Sequence, residues 1–535
     1  MKIDIRLILL IGSLLMLTLG LPALAQHEVT YPTTEWQTSS PEEQGMDSVM
    51  LLDALTFIEE RQLAVDSITV IRHGKIVLDT YFYPYTPNTK HQAWSVTKSF
   101  VGTLVGIAID QGLIKGIDQP LLALFPEITP AQMNENKQVM TVGNLLTMSS
   151  GLTCTDMGVG VEAEMHSSSN AVQYMLDLRM SRKPGSMFEY CNLNSDLLTA
   201  AVQKVAGVPL TDYADKVLFS PLGIKDYEWT TYQNSIPFGG FGLSITPHDM
   251  ARLGYLYLQQ GSWAGTQIVS SNWVDLARCA DKTQCPFDDV FVSVGYGYHW
   301  WIFQPHFYTA VGANGQTIAV APNHDIVVVI TGSGITGAQN PSIYEDLIPN
   351  RILAAVKSQS SLPINEAAQT ALAEHVSQLA KPESVAVQPL PENAEQLNGR
   401  IYDLRNSIYM NTLPPALAEH IYGRNIEVTA FTLSFTEEAE AQLDLYYADG
   451  YHLELPVGLD GVWRVVESDF GPLAAKGGWD KSGKQFSVQY QANTTAESAK
   501  FTFNIVSKGD VRVLWEDPAA VVGNRIQGTR ADLHE

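Results

Sequence analysis

The sequence predicts a mixed α/β domain followed by an all-β domain, either a barrel or a sandwich. Three observations predict it. With 535 residues the chain is too long for one ordinary core. Near the N-terminus a pair of alternating strands leads into a buried helix. After residue 357 the character changes and the pattern becomes almost entirely strand. The divisions that follow are 1–25 for a leader, 26–360 for the α/β domain, 361–395 for a helix and linker, and 396–535 for the all-β domain.

Residues 1–25 read as an address rather than as structure. Lys2 and Arg6 form a positive n-region and residues 7–21 an apolar stretch. Ala23-Leu24-Ala25 is a cleavage site that leaves Gln26 as the new N-terminus. No later apolar run is long enough to span a bilayer. The expectation is an exported protein, periplasmic or extracellular, without a membrane span once the signal is cleaved. An uncleaved N-terminal anchor is the lesser alternative. Composition is globular, with 45% apolar and 17% charged residues, and the net charge of −24 argues against a nucleic-acid partner. Export permits disulfides. Cys279 and Cys285 flank a short polar loop and could form a local bridge worth about 2 kcal/mol. Cys154 and Cys191 could pair as well, and four free buried thiols would also fit. No C-x-x-C spacing suggests zinc, and no metal or cofactor is expected.

In chain order, residues 50–61 predict an amphipathic helix. Residues 66–72 alternate as a strand, His73-Gly74 signals a hairpin, and 75–83 is the returning strand. In residues 94–113 the apolar positions from Phe100 to Ile109 wrap nearly all sides of a helical wheel. That helix should be buried, with Gly112 as its stop. Residues 141–146 read as a capped helix running into a turn at Gly151, and 155–170 as a surface loop. Pro184-Gly185 marks a turn, with Tyr190 on a loop before a helix over 196–205. Pro247 opens a helix over 247–261. Residues 296–301 read as an aromatic strand, 308–311 and 317–320 as strands around a Gly312–Gln316 turn, and 325–331 as containing a strand buried on both faces. Residues 332–337 spell G-x-G-x-x-G. No helix opens directly behind it and no βαβ repeat surrounds it, so a dinucleotide site is rejected. Residues 365–379 predict a helix and 381–395 a Pro- and Glu-rich linker. The all-β domain then reads as strands over 428–435, 443–447, 451–455, 462–466, 486–490, 501–506 and 511–515.

Chemistry concentrates at Ser95-Val96-Thr97-Lys98. Three residues apart on a helix, Ser95 and Lys98 share a face one turn apart. A serine hydroxyl needs an adjacent base, and a lysine serves if burial keeps it neutral part of the time. The pair alone equally describes a helix cap beside a solvent-facing lysine. Tyr190 could relay a proton and Asn192 could hold a substrate carbonyl; an ordinary loop with a packed ring fits too. Tyr-x-Asn also occurs at Tyr232 and Tyr409, so the tripeptide alone selects nothing.

Together these motifs resemble those of the serine β-lactamase-related hydrolases. That family includes class C β-lactamases, D-alanyl-D-alanine carboxypeptidases, carboxylesterases and 6-aminohexanoate-dimer hydrolases. The resemblance rests on Ser95-Val96-Thr97-Lys98, on Pro184-Gly185 with Phe188 and Tyr190-Cys191-Asn192, and on Gly312–Gln316. It covers roughly residues 35–357. It implies a β-lactamase/transpeptidase-like α+β domain with an antiparallel sheet and a helical subdomain. It implies Ser95 as acylated nucleophile, Lys98 as its base and Tyr190 as proton shuttle. Asn192 would be the substrate-holding amide, and Gly315-Gln316 a strand segment whose Gln316 N–H completes an oxyanion hole with Ser95 N–H. Two departures matter. Ala313-Asn314-Gly315 stands where β-lactamases carry a cation, which points toward the esterase and amide-oligomer branch. Cys191 replaces a small residue, and a bridge to Cys154 would fix the Tyr190 loop. The expected reaction is cleavage of an ester or amide, in a small or peptide-like substrate, through an acyl-enzyme. The alternatives are a β-lactamase or cell-wall peptidase, and a non-catalytic binding protein of the same fold.

Overall fold

The computed structural model describes residues 30–154, 161, 164–165, 168–232, 235–279, 287–291, 294–303, 307–409, 426–436, 439–469, 471–492, 497–517 and 525–534. The leader, most of the 155–170 loop and Cys285 lie outside the described residues.

The first sheet has nine strands: β1 (Gln37–Thr38), β2 (Val65–Arg72), β3 (Lys75–Tyr81), β4 (Phe287–Phe291), β5 (Val294–Tyr296), β6 (Trp301–Phe303), β7 (Phe307–Val311), β8 (Thr317–Ala321) and β9 (Ile326–Gly332). Their spatial order is β1-β3-β2-β9-β8-β7-β6-β5-β4. β1 pairs with β3 in parallel, and the other neighbours are antiparallel. β9 is buried along its whole length because both faces of the sheet are covered. Its alternating side chains feed two cores. Val327 and Val329 join the core on the side of the helical subdomain. Ile326, Val328 and Ile330 join the other, under helix α1 (Ser48–Glu60), segment Ser342–Ile352 and Leu372 of the helix Glu366–Leu379. Each fully buried aliphatic side chain contributes about 1.5–3 kcal/mol.

On the first face, helix α2 (Thr97–Asp110) and helix α3 (Asn192–Ala206) pack together, and helix α4 (Pro247–Leu258) lies on the sheet. α4 sits close because Gly254 has no side chain. A Cβ there would stand 2.6 Å from Val327 Cγ1 and 2.7 Å from Ile318 Cγ2.

The C-terminal domain is a barrel, which decides between the two architectures left open above. Its strands are β10 (Arg400–Tyr409), β11 (Glu427–Phe435), β12 (Glu440–Tyr447), β13 (His452–Gly458), β14 (Arg464–Val466), β15 (Leu473–Trp479), β16 (Gln485–Ala492), β17 (Glu497–Ser507), β18 (Asp510–Asp517) and β19 (Arg525–Leu533). Nine of them form a ring that closes where β13 meets β15, at Gly458 opposite Lys476, with β14 paired to β15 at the seam. That closing pair is parallel, because an odd number of strands cannot alternate direction all the way round. Tyr83 Oη donates to Trp463 O at 3.2 Å, and Ile426 packs into the first domain's core, so the two domains touch.

Several local expectations change. Residues 296–301 are not one strand. β5 ends at Tyr296 and β6 begins at Trp301, with His299 at φ 63° in the turn between them. The third motif is not on a strand either: Ala313–Gly315 forms a tight turn before β8, with Asn314 at φ 62°. α3 starts at Asn192 rather than 196, because its polar first turn is buried rather than solvated. Ser95 sits in a 3₁₀ turn, Trp94–Val96, just ahead of α2. Strands β10, β15 and β19 were not expected. Ala474-Ala475-Lys476-Gly477-Gly478 carries little β propensity, and barrel closure recruits it.

Candidate active site

The site is built where the start of α2 meets the start of α3. From His91 to Phe100 every residue is buried except Ser95, which is half-exposed. Trp94, stacked on Phe241, holds φ 48° immediately before it. A bulky residue in that region is strained, and strain of this kind concentrates at functional positions.

Lys98 is 1% exposed and completely engaged. Its Nζ lies 2.9 Å from Ser95 Oγ, 2.7 Å from Asn192 Oδ1 and 2.6 Å from Gly240 O. Tyr190 lies alongside, with Lys98 Nζ 4.8 Å from its ring centroid, and stacks on Trp301 at 5.6 Å. Phe188 and Tyr296 pack edge-on against the same rings. The structure therefore brings Ser95, Lys98, Tyr190 and Asn192 together. Asn192 is anchored as the first residue of α3. The residue before it is tied down by the Cys154–Cys191 disulfide, with sulfurs 2.10 Å apart. Cys279 is also disulfide-bonded.

Gly315 and Gln316 approach from the sheet. The 312–316 turn presses against the segment that carries Ser95. A Cβ on Gly312 would lie 2.4 Å from Ala93 O and 3.1 Å from Trp94 Cβ. Gln316 Nε2 donates to Gly332 O at 2.5 Å, which fixes the side chain in the core. Its main-chain N–H makes only a 3.5 Å contact with Ala313 O. Of the other tyrosine copies, Tyr409 ends β10 of the barrel, whereas Tyr232 is close at hand and helps hold the Asp196 carboxyl down against burial. Asn234 and Asn411, their third residues, lie outside the described residues.

Three members were not singled out by sequence. His299 is fully buried, and burial pushes its imidazole down to about 3, so it is neutral. Nδ1 lies 2.8 Å from Lys98 O and Nε2 3.3 Å from Ser195 Oγ. A carbonyl only accepts, so Nδ1 carries the proton. His299 thus clamps the α2 main chain at Lys98. Gly240 supplies the carbonyl that Lys98 uses. Asp196, fully buried, accepts from Gly239 N at 2.7 Å and Gly240 N at 3.1 Å. The adjacent glycines at 239–240 and an aspartate one turn after Asn192 were the available signals. Neither reads as catalytic without the contact.

Residues 42–342 match the profile of the Beta-lactamase family. Over 306 residues the chain is 25% identical to a 6-aminohexanoate-dimer hydrolase of Paenarthrobacter ureafaciens, which spans 53% of this chain and 78% of that one. Over 222 residues it is 26% identical to a β-lactamase of Escherichia coli (strain K12), 36% of this chain and 56% of that one. A solved structure of a Bacillus anthracis protein, described as a 6-aminohexanoate-dimer hydrolase, superposes with a TM-score of 0.51 at 20% identity. It covers 62% of this chain and 89% of its own, and it shows the shared fold.

Proposed function

The chain belongs to the β-lactamase family and is a hydrolase, and on that premise we propose that it is an exported serine hydrolase that cleaves an ester or amide through an acyl-enzyme on Ser95. The observation that carries this is the tripod around Lys98 Nζ. Two of the three neighbours, Asn192 Oδ1 and Gly240 O, can only accept. A neutral lysine has two N–H groups and one lone pair. The N–H groups go to the acceptors, which leaves the lone pair for the one neighbour that can donate, Ser95 Oγ.

In the first half-reaction Ser95 Oγ attacks the substrate carbonyl carbon and its proton passes to Lys98. The carbonyl oxygen takes the negative charge and is met by the N–H groups of Ser95 and Gln316. Tyr190 Oη hands a proton to the leaving alcohol or amine and regains it by way of Lys98. In the second half-reaction Tyr190 first passes its proton back to Lys98 and then takes one from water as that water attacks the ester carbon; Lys98 returns its proton to Ser95 Oγ as the acyl group leaves as the acid. Losing one oxyanion donor typically costs about 3 kcal/mol in the barrier. Ala313-Asn314-Gly315 contributes no cation, which suits a substrate without a carboxylate at that position. The Cys154–Cys191 bridge supports export, since such bonds persist in oxidising compartments.

The test is labelling of the purified chain with a fluorophosphonate probe, beside Ser95→Ala, followed by a panel of nitrophenyl esters, amide oligomers and nitrocefin. Stoichiometric label on Ser95, none in Ser95→Ala, and turnover of esters or amides are expected. Absence of label on the folded protein overturns the proposal in favour of a binding role. Turnover confined to nitrocefin makes the chain a β-lactamase.

A further inference from the structure

We propose that Asp196 is a positioning residue for the acylation base: it holds the 239–240 backbone so that Gly240 O receives Lys98, and its charge stabilises the ammonium that forms when Ser95 is deprotonated. The inference rests on the reading of Ser95 and Lys98 given above.

The geometry is a relay of short contacts through one glycine. Asp196 lies four residues after Asn192 on α3, so both carry their side chains on the same face. One carboxylate oxygen, Oδ1, accepts from two successive amides, Gly239 N and Gly240 N. The carbonyl of Gly240 then accepts from Lys98 Nζ at 2.6 Å. The strand of backbone cannot sit elsewhere. A Cβ on Gly239 would stand 2.3 Å from Ser195 O, and one on Gly240 would stand 2.8 Å from Asn192 Cβ. Both glycines are therefore pressed against the first turn of α3, and Asp196 is what their N–H groups meet there. Without that carboxylate two buried donors lose their acceptor, and the carbonyl they aim is no longer held.

The charge has a second effect. Asp196 is completely buried, and burial raises its carboxyl to about 6, against the lowering effect of Tyr232, the two amides and Lys98. The groups that face this assembly can be named. Lys98 comes from α2, and Tyr232 from the segment after Glu228–Trp229. Tyr190 lies across Lys98, and His299 is neutral behind it. The carboxylate supplies the negative charge in this set. That charge favours the ammonium which forms at Lys98 as Ser95 Oγ gives up its proton. The sign follows: as pH falls through about 6 Asp196 takes a proton, and that support is lost.

The experiment compares wild type, Asp196→Asn and Asp196→Ala by the rate at which a fluorophosphonate probe phosphonylates Ser95, with loss of fluoride, across pH 5 to 10. Asn keeps an oxygen for the Gly239 and Gly240 amides and loses only the charge. The wild-type profile should carry an inflection near pH 6, where Asp196 takes a proton, and Asp196→Asn should lack it. The high-pH plateau should fall about tenfold or less. Asp196→Ala should lose about a hundredfold or more, because the carbonyl is no longer aimed. A profile for Asp196→Asn that superimposes on wild type overturns the inference, and so do equal losses in both variants with the inflection near pH 6 kept. Should Asp196→Ala not fold, the presence or loss of that inflection in Asp196→Asn still decides. If wild type itself takes no label, the reading of Ser95 fails instead, so the two failures are distinct.

Discussion

The hydrolase domain and the barrel bury different kinds of side chain. Beneath its catalytic face the hydrolase domain encloses Lys98, Asp196 and His299, and a second group of Asp66, His91 and Tyr85. Each is held by hydrogen bonds rather than by packing alone. Asp66 accepts from Ser333 Oγ at 2.5 Å, and burial pushes its carboxyl up to about 8. Among the described residues the barrel buries one charged group, Asp517, and otherwise a core of alternating apolar side chains such as Leu443, Phe503 and Trp515. Burying ionisable groups is expensive unless each is partnered. A domain built only for stability has no reason to carry several, and a domain that moves protons does. The contrast teaches that, among the described residues, the buried ionisable groups gather in the hydrolase domain, while the barrel is held by ordinary hydrophobic burial.

The largest expected effect probes the buried charge. Lys98→Met keeps the apolar stem and removes the amine, so acylation of Ser95 should slow about 10³- to 10⁴-fold. A rate within tenfold of wild type, read by probe labelling, would move the base elsewhere and erase the contrast. Next is the barrel core. Trp515 is fully buried and donates to Tyr490 Oη at 3.0 Å. Trp515→Ala should cost about 3–5 kcal/mol in the unfolding of the barrel. The acylation rate of the native fraction should stay unchanged. A parallel loss of rate would mean that contacts such as Tyr83 with Trp463 couple the halves. The smallest effect concerns the bridge beside Tyr190. Replacing Cys154 and Cys191 together by serine opens a loop of 37 residues' separation and should cost about 3 kcal/mol. It should lower ester turnover more than it lowers the melting temperature of the barrel, which contains no cysteine. Equal destabilisation of both domains, followed by differential scanning calorimetry, would contradict that.

Much of this was legible before any coordinates. The wrap of apolar residues in α2 required burial, and a buried helix carries its first turn into the interior. The alternation after residue 426 required strands, since period two exposes one face and hides the other. The capped helix at Val142–Leu146 was readable from Thr141, whose side chain accepts from Asn144 N. The misread pieces share a cause. Residues 296–301 are aromatic at every position but Gly297, which suits a strand, but His299 is needed at Lys98 and turns the chain out of register. Sequence starts α3 only at 196 because the partners of its polar first turn, Lys98 and the 239–240 glycines, are far away along the chain.

The sequence by itself determined which residues could react and which faces had to be hidden, because hydroxyl, amine and phenol chemistry and the period of apolar residues are local properties. Tertiary structure alone decided that Gly240 O and Asn192 Oδ1 occupy two of the three directions around Lys98 Nζ. It also decided that nine strands close on a parallel seam. The first depends on distances between segments more than 90 residues apart, and the second on pairings all the way round the ring, which only the packed chain fixes.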